Sequence, residues 1–327
     1  MVPLGDVVER YRGFVLETAG ESPCFTAWAA EVAQDDEVLA WIASLPEPKQ
    51  QPNLVFAAAR WCGAAAPGPY EGFRRAVLHP GGAVRRTVLE RSTQTNEPQR
   101  CATLLPALAR IAEEAGGPLA LVEVGASAGL CLFPDRYRYD WGAAGRLGDT
   151  ADPVLRCAVA GPMPVPRRMP EVAWRGGSDL NPLDVLDHDA VRWLRTLIWP
   201  EQEHRRRQLD AAIAVAAVAP PWILRGDLLE TLDEVIDRAA PHGTVVVLHS
   251  AVIAYLDLAS RRRFADRMRH LVEQGSVRWV SNEGDRVLPG ITGTVRGAGR
   301  PTERFVLGID GRAVALTHGH GASLTWL

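Results

Sequence analysis

The segment LALVEVGASAGL, residues 119–130, constrains the fold of this chain more than any other stretch. An apolar run that includes Glu123 leads into a turn of small residues from Gly125 to Gly129, and apolar residues resume at Leu130. This order predicts a buried strand, a tight turn and the first turn of a helix. Such a turn leaves free backbone N–H groups where an anion or a polar group can bind.

The same turn is compatible with two chemistries. One is the binding of a nucleotide-type cofactor by a glycine-rich loop. The other is the nucleophile elbow G-x-S-x-G of hydrolases, which residues 125–129 also spell, with Ser127 as the nucleophile. The position of the segment within the chain therefore has to decide between them.

Composition excludes several classes of protein. The 327 residues are enough for one large core and a smaller one, and a net charge of −3 gives no reason to expect a nucleic-acid partner. No apolar run approaches the roughly 20 residues that span a membrane, and Asp6 and Glu9 interrupt the N-terminus, so no secretory signal is expected. The five cysteines are odd in number and form no C-x-x-C pair, which predicts reduced thiols, a cytoplasmic protein and no zinc site.

Residues 1–118 predict an α-helical N-terminal domain without strands. Val7, Tyr11 and Phe14 follow helical spacing, and Ser22-Pro23 supplies a capping side chain followed by a proline in the first turn.

A polar run, RSTQTNE at 91–97, precedes the last helix of this domain and is longer than a helix cap requires. It could contact a ligand, and a solvated loop explains it equally well. The candidates for substrate contact are Gln94, Asn96 and Arg100, with Glu97 as a candidate catalytic group.

Strand patterns alternate with helical patterns from residue 119 onward, interrupted by an insertion at about 131–170. Residues 304–317 predict a closing hairpin, because Asp310-Gly311 is a strong two-residue turn signal. We therefore expect residues 119–327 to form an α/β domain with a doubly wound, mostly parallel seven-stranded sheet and a C-terminal antiparallel hairpin.

This order resembles the class I S-adenosylmethionine (SAM) methyltransferase fold. Glu123 before the glycine loop resembles that fold's first motif, and RGGSDLNPLD at 175–184 resembles the end of its second strand. The resemblance implies that Asp179 binds the ribose hydroxyls, that Asp227 binds the adenine amine and that His249 lies beside the transferred methyl group. The cofactor-binding residues it implies are Glu123, Gly125, Ser127, Gly129, Asp179, Asp227 and Leu228.

The chain also resembles, across nearly its whole length, the bacterial family named domain of unknown function 2332. The resemblance brings no established substrate. The segments that carry it are TQTNE (93–97), EVGASAGL (123–130), DRYRYD (135–140), RGDL (225–228), HSAV (249–252) and SNEG (281–284).

Two departures from the methyltransferase pattern leave alternatives open. Ser127 stands where the family usually has glycine, so its side chain could crowd the cofactor or bond the methionine carboxylate. The long insertion also makes Asp140 a rival of Asp179 as the ribose-binding acid.

The predicted function is methyl transfer from SAM to an O or N atom of a small molecule by in-line displacement. Because histidine commonly acts as a general base near neutral pH, His249 could take the proton of the acceptor. Tyr255, Asn282 and Glu283 are weaker candidates for the substrate pocket. Small-molecule substrates, without membrane or nucleic acid, are the expected partners, and the oligomeric state stays open, with a homodimer as one option.

Two other functions remain as alternatives. A serine hydrolase would use Ser127 with Asp227 and either His249 or His318, although no oxyanion segment precedes the turn and residues 1–118 lack strands. A binding module without catalysis would hold SAM or a nucleotide. His318 and His320 are not expected to bind a metal, because two ligands are insufficient and the second hairpin strand is expected to end at the edge of the sheet away from the cofactor.

Overall fold

The computed structural model describes residues 4–94, 96–148, 153–295 and 304–327, and has a mixed α/β architecture. The chain forms two compact units. The first comprises Met1–Thr95 and His188–Arg207, and the second comprises Asn96–Asp187 and Gln208–Leu327. The helix before residue 119 therefore belongs to the second unit, whereas the sequence placed it in the N-terminal domain.

Twelve α-helices occur among the described residues. They are α1 Leu4–Thr18, α2 Pro23–Val32, α3 Asp36–Ala43, α4 Pro52–Trp61, α5 Tyr70–Val77, α6 Ala83–Glu90, α7 Cys101–Ala115, α8 His188–Leu197, α9 Glu203–Val218, α10 Leu228–Ala239, α11 Leu258–Glu273 and α12 Pro289–Thr292. None of these helices is both long and apolar enough to cross a membrane.

The first unit is helical and is built around an aromatic core. The Phe56 ring packs against Phe25, Trp28 and Phe73 at centroid distances of 5.0–5.5 Å. Helix α2 begins as expected, because the Ser22 side chain accepts a hydrogen bond from the backbone N–H of Phe25 and a proline follows the cap. The interlocking of large rings gives this helical unit a continuous apolar interior.

Twelve strands occur among the described residues. They are β1 Leu119–Val124, β2 Arg138–Asp140, β3 Arg146–Leu147, β4 Val154–Arg156, β5 Ala158–Ala160, β6 Val172–Asp179, β7 Trp222–Arg225, β8 Thr244–Ser250, β9 Arg278–Gly284, β10 Phe305–Ile309, β11 Arg312–Thr317 and β12 Ser323–Trp326.

Nine strands form one sheet in the order β5-β12-β11-β10-β9-β8-β1-β6-β7. The five strands from β7 to β9 are parallel, whereas β10 is antiparallel to β9, β11 to β10, and β12 to β11. Strand β1 lies in the middle of the parallel part, and all six of its residues are buried, as expected for a strand covered on both faces.

The structure differs from the expected sheet in three ways. The sheet has nine strands among the described residues instead of seven, because the short strands β5 and β12 extend one edge. The insertion forms its own three-stranded sheet, in the order β3-β2-β4. The turn after β1 is followed by a single 3-10 turn at Leu130–Leu132, and an α-helix was expected there.

The direction of the hairpin was also predicted wrongly. Strand β10 runs opposite to β9, and β11 turns back to run in the same direction as the parallel strands. His318, directly after β11, therefore lies at the same edge of the sheet as the ends of β1, β8 and β9. The sequence predicts the hairpin but not which of its strands pairs with the sheet.

Candidate functional site

The turn after β1 is held in a conformation that depends on its glycines. Gly125 has φ +73° and Gly129 has φ +69°, in the left-handed region that glycine adopts without strain. A Cβ on Gly125 would lie 2.2 Å from the Val252 Cγ2 atom, so the loops after β1 and β8 are in close contact. The two glycines are therefore explained by backbone conformation and packing.

Ser127 occupies the centre of this turn in a conformation that is rare for a residue with a side chain. Its φ is +52°, and its backbone is fixed on both sides. The Ser127 N–H donates to Asp179 Oδ2 at 2.8 Å, and its carbonyl oxygen accepts from the Leu183 N–H at 3.1 Å. The Ser127 hydroxyl is buried and has no hydrogen-bond partner among the described residues.

Two polar side chains hold the turn from outside. Asn96 donates from Nδ2 to the Ala126 carbonyl at 2.8 Å and accepts from the Leu130 N–H at 3.0 Å. Asp179, at the end of β6, accepts from Ser127 and, through Oδ1, from the Asn181 N–H at 2.7 Å. Both predicted ligand-contacting residues thus support the loop, which was not apparent from the sequence.

Glu123 is a buried carboxyl group at the end of β1. It is 5% exposed, and its Oε2 atom has no hydrogen-bond partner among the described residues. Burial raises the pKa of Glu123 well above its usual range; the nearby Cys131 and Asp179 act in the same direction, whereas Arg100 opposes them. Burial therefore favours the protonated form of this carboxyl group, which can donate a hydrogen bond.

Arg100 lies in a 3-10 turn, Pro98–Arg100, immediately before α7, and is 6% exposed. Its Nε donates to the Gly319 carbonyl at 2.9 Å, and its Nη1 donates to the Ser250 carbonyl at 3.1 Å. Within the described ranges no carboxylate forms an ion pair with Arg100. A buried guanidinium is usually paired with an anion, so Arg100 is a candidate ligand contact.

Asn282 lies near Arg100, since both contact Ser250. Its side chain is fully buried, accepts a hydrogen bond from the Thr317 hydroxyl at 2.7 Å and donates to Ser250 Oγ at 3.1 Å. These contacts bring the ends of β8, β9 and β11 together. Thr317 was not predicted, and no local sequence signal distinguishes it from other hydroxyl residues.

Glu97 and Cys131 lie beside Arg100. Glu97 is 4% exposed and its Oε1 accepts from the Gln99 N–H at 3.3 Å, which caps the 3-10 turn. The Cys131 thiol contacts the Glu97 carbonyl at 3.5 Å. Glu123, Arg100, Glu97 and Cys131 therefore form one buried group, which we call the β1 cluster.

His249 lies in a second group. Its ring is fully buried, with Nδ1 2.8 Å from Glu283 Oε1 and Nε2 accepting from Trp279 Nε1 at 3.0 Å. Because indole N–H can only donate, Nε2 is the unprotonated nitrogen and Nδ1 donates to Glu283. Glu283 Oε1 also accepts from the N–H groups of Val252 and Ile253. We call His249, Glu283 and Trp279 the β8 cluster.

The two clusters face opposite sides of the sheet. The His249 ring packs against Phe264 of α11 and against Trp279, which belong to the core that also contains Val122 and Val124 of β1. Side chains alternate along a strand, so Glu123 points to the other face. The two predicted catalytic residues, His249 and Glu97, are therefore not brought together.

Other predicted residues have structural contacts or are exposed. Asp227 caps α10 by accepting from the Leu229 N–H at 2.8 Å, and Leu228 is the first residue of that helix and packs in the core. Tyr255 is 74% exposed. Gln94 is partly exposed in the first unit.

Asp140, the predicted rival of Asp179, lies in β2 of the insertion sheet. It accepts from the Gly142 N–H at 3.0 Å and pairs with Arg146 at 3.2 Å. The Gly142 hydrogen bond, more than the Arg146 charge, holds the pKa of Asp140 below its usual range. Its contacts are thus those of a turn in the small sheet.

A Ser-His-Asp arrangement is not assembled in the described part of the chain. The Ser127 hydroxyl has no partner there, and both ring nitrogens of His249 are bonded to other side chains. The His318 and His320 rings lie 5.7 Å apart, and the described residues include no cluster of three histidine, cysteine or carboxylate groups that could hold a metal ion.

One protein-family model matches nearly the whole chain. The model of the family DUF2332, described as an uncharacterized protein conserved in bacteria, matches residues 8–326. The chain belongs to the DUF2332 family. No match was found among curated proteins or among solved structures. The match covers both units of this DUF2332 protein and includes all the residues of the β1 and β8 clusters.

Proposed function

We propose that this DUF2332 protein binds SAM at the carboxyl edge of its parallel strands and methylates an O or N atom of a small molecule. The strand order carries the proposal. The chain leaves β1 through β6 to β7 and then returns to β8 on the other side of β1. Ligands of open α/β sheets bind at the carboxyl edge where the order reverses in this way, here between β1 and β8. The doubly wound, methyltransferase-like arrangement is part of this proposal.

The polar groups at this edge fit a cofactor that carries both charged and neutral polar atoms. Glu123 Oε2 and Ser127 Oγ are buried without partners in the described residues, and such groups commonly mark a bound ligand or water. Arg100 and Ser127 would hold the methionine part, and Asp227 the adenine amine. SAM supplies an electrophilic methyl group when it is bound.

Methyl transfer requires alignment of the acceptor and, for a neutral acceptor, removal of its proton. Alignment contributes the larger share of the rate, and a general base adds roughly 10²–10⁴-fold. Glu97, in the β1 cluster, is the proposed base. His249 would have to exchange Trp279 or Glu283 for the acceptor before it could act as one, so we assign it the role of positioning Glu283 and the loop after β8.

Calorimetric titration of the full-length protein with SAM and S-adenosylhomocysteine tests this proposal. We expect binding of both, and Asp227→Asn should weaken it at least about tenfold, which corresponds to about 1.4 kcal/mol. Asn keeps an acceptor for the helix cap but removes the charge. Asp257→Asn is the matched control, because Asp257 caps α11 in the same way, accepting from the Ser260 N–H at 2.7 Å. Folded protein that binds neither compound would overturn both the enzyme and the binding-module versions.

A serine hydrolase is the second candidate, and one observation favours it. Ser127 adopts a left-handed φ between two glycines, as a nucleophile elbow does, and its hydroxyl has no partner in the described residues. Hydrolysis of a p-nitrophenyl ester that is lost in Ser127→Ala, together with no binding of SAM, would replace the methyltransferase proposal.

A further inference from the structure

Two of the five cysteines are neighbours in space, although 30 positions separate them in the sequence. Cys101 begins α7, and Cys131 lies in the 3-10 turn after the glycine loop. The Cys101 thiol contacts the Cys131 carbonyl oxygen at 3.7 Å, and the Cys131 thiol contacts the carbonyl oxygen of Glu97, four residues before Cys101, at 3.5 Å. Both residues belong to the second unit.

The two thiols have different surroundings. Burial raises the pKa of Cys101 well above its usual range, because its thiol is fully enclosed. The pKa of Cys131 is lowered, chiefly because the Cys101 side chain hydrogen-bonds to it and also because of the positive charge of Arg100, although burial and Glu97 oppose this. Both thiols are buried, but only Cys131 keeps a small exposed fraction, 4% against 0% for Cys101, and its surroundings favour the thiolate more than those of Cys101 do. We therefore assign Cys131 the first reaction and Cys101 the second.

We propose that Cys101 and Cys131 form a peroxide-oxidisable dithiol that closes into an intramolecular disulfide next to the β1 cluster. The Cys131 sulfur attacks one oxygen of a hydroperoxide, the O–O bond breaks, and Cys131 becomes a sulfenic acid while water or an alcohol leaves. The Cys101 sulfur then attacks the Cys131 sulfur, the S–O bond breaks, and a second molecule, water, leaves. In total the two thiols lose two electrons and two protons, and the peroxide, which gains them, is reduced to water or to water and an alcohol.

The disulfide would join the start of α7 to the residues directly after the glycine loop. It would fix the positions of Arg100, which precedes Cys101, and of the segment from Gly129 to Cys131. The inference does not depend on SAM as the ligand, because it concerns the thiols alone.

Mass spectrometry of the full-length protein tests the proposal. The native, reduced protein is treated with a small excess of hydrogen peroxide, its remaining thiols are alkylated after denaturation, and the peptides are mapped without reduction. We expect a Cys101–Cys131 cross-linked peptide pair that lacks two hydrogen atoms, with Cys24, Cys62 and Cys157 alkylated. Recovery of both Cys101 and Cys131 as alkylated thiols, while another cysteine is oxidised, would overturn the proposal.

Serine variants separate the two steps. Cys101→Ser should leave a sulfenic acid on Cys131 that dimedone traps, whereas Cys131→Ser should give no dimedone adduct on Cys101. Cys157→Ser is the control, because Cys157 is buried without a cysteine partner and should leave the cross-link unchanged. Equal dimedone labelling in the two pair variants would contradict the assigned order of attack.

Discussion

Two buried polar clusters lie at the carboxyl edge of the same sheet, one on each face, and they differ in how well their hydrogen bonds are satisfied. In the β8 cluster both nitrogens of His249 are bonded, and Glu283 Oε1 accepts from the imidazole and two backbone N–H groups, although Glu283 Oε2 has no partner among the described residues. In the β1 cluster, within the described residues, Glu123 Oε2 has no hydrogen-bond partner, and the hydrogen bonds of the Arg100 side chain go to carbonyl oxygens.

This difference indicates that the β8 cluster has a structural role and that the β1 cluster is the candidate binding site. A satisfied network fixes strands and loops to one another, so its disruption lowers the free energy of unfolding. Groups without partners remain available to a ligand, and natural proteins keep few of them in their interiors. The sequence favoured His249 as the reacting group, but the contacts favour the β1 cluster. Variants in each cluster test this difference, because those in the β8 cluster should reduce the stability of the fold more than those in the β1 cluster.

The largest expected effect is that of His249→Ala. The substitution removes a buried ring and leaves Trp279 Nε1 and Glu283 Oε1 each without one partner. We expect the free energy of unfolding to fall by about 3–5 kcal/mol, as for other broken buried pairs.

Urea titration of the wild type and the variant measures this change. His318→Ala is the control, because His318 is exposed after β11, and it should alter the free energy of unfolding by less than about 0.5 kcal/mol. A His249→Ala protein as stable as the His318→Ala protein would show that the β8 cluster does not support the fold.

A smaller effect is expected from Asn96→Ala, which removes both hydrogen bonds between the Asn96 side chain and the turn. At about 0.5–1.5 kcal/mol for each bond, the loss should be about 1–3 kcal/mol. Asn96→Asp retains the acceptor for the Leu130 N–H but loses the donor to Ala126, so its effect should be intermediate. Hydrogen exchange should become faster in residues 125–131 in the order wild type, Asp variant, Ala variant; equal exchange in all three would contradict the role of Asn96.

The sequence predicts elements whose signal is local. Strand β1 is a continuous apolar run, and the Asp310-Gly311 turn defines the hairpin, so both were predicted close to their observed bounds. Strand β12 was missed because it has only four residues, too few for its alternation to be a clear signal. Short edge strands are defined by the neighbour with which they pair, which a local pattern does not contain.

The functional residues show the same limit more clearly. Glu123, Asn96, Arg100 and Asn282 were selected from the sequence, and all four lie at the carboxyl edge. Their partners depend on which strands are adjacent: Asn282 meets Thr317 only because β10 and β11 follow β9 in the sheet. His249 was assigned to catalysis from its position at the end of a strand. Nothing in the sequence shows that Trp279 and Glu283 lie beside it.

The effect of Glu123→Gln is expected to be small at acidic pH and to depend on pH, which the effects of the other variants are not expected to do. Because burial raises the pKa of Glu123, the folded protein holds its proton more tightly than the unfolded chain does. Its contribution to stability is therefore fully present below the ordinary carboxyl pKa and is lost as the pH rises from there toward the raised value, by at most about 1.4 kcal/mol for each pH unit. An amide does not titrate, so the variant should become more stable than the wild type, by a growing margin, as the pH rises.

Urea titrations between pH 5 and 8, chosen as roughly the range in which folded proteins are most stable, measure this difference. A constant difference across that range would mean that Glu123 is ionised in the folded protein, and the β1 cluster would then hold a charged carboxylate where burial favours a protonated one.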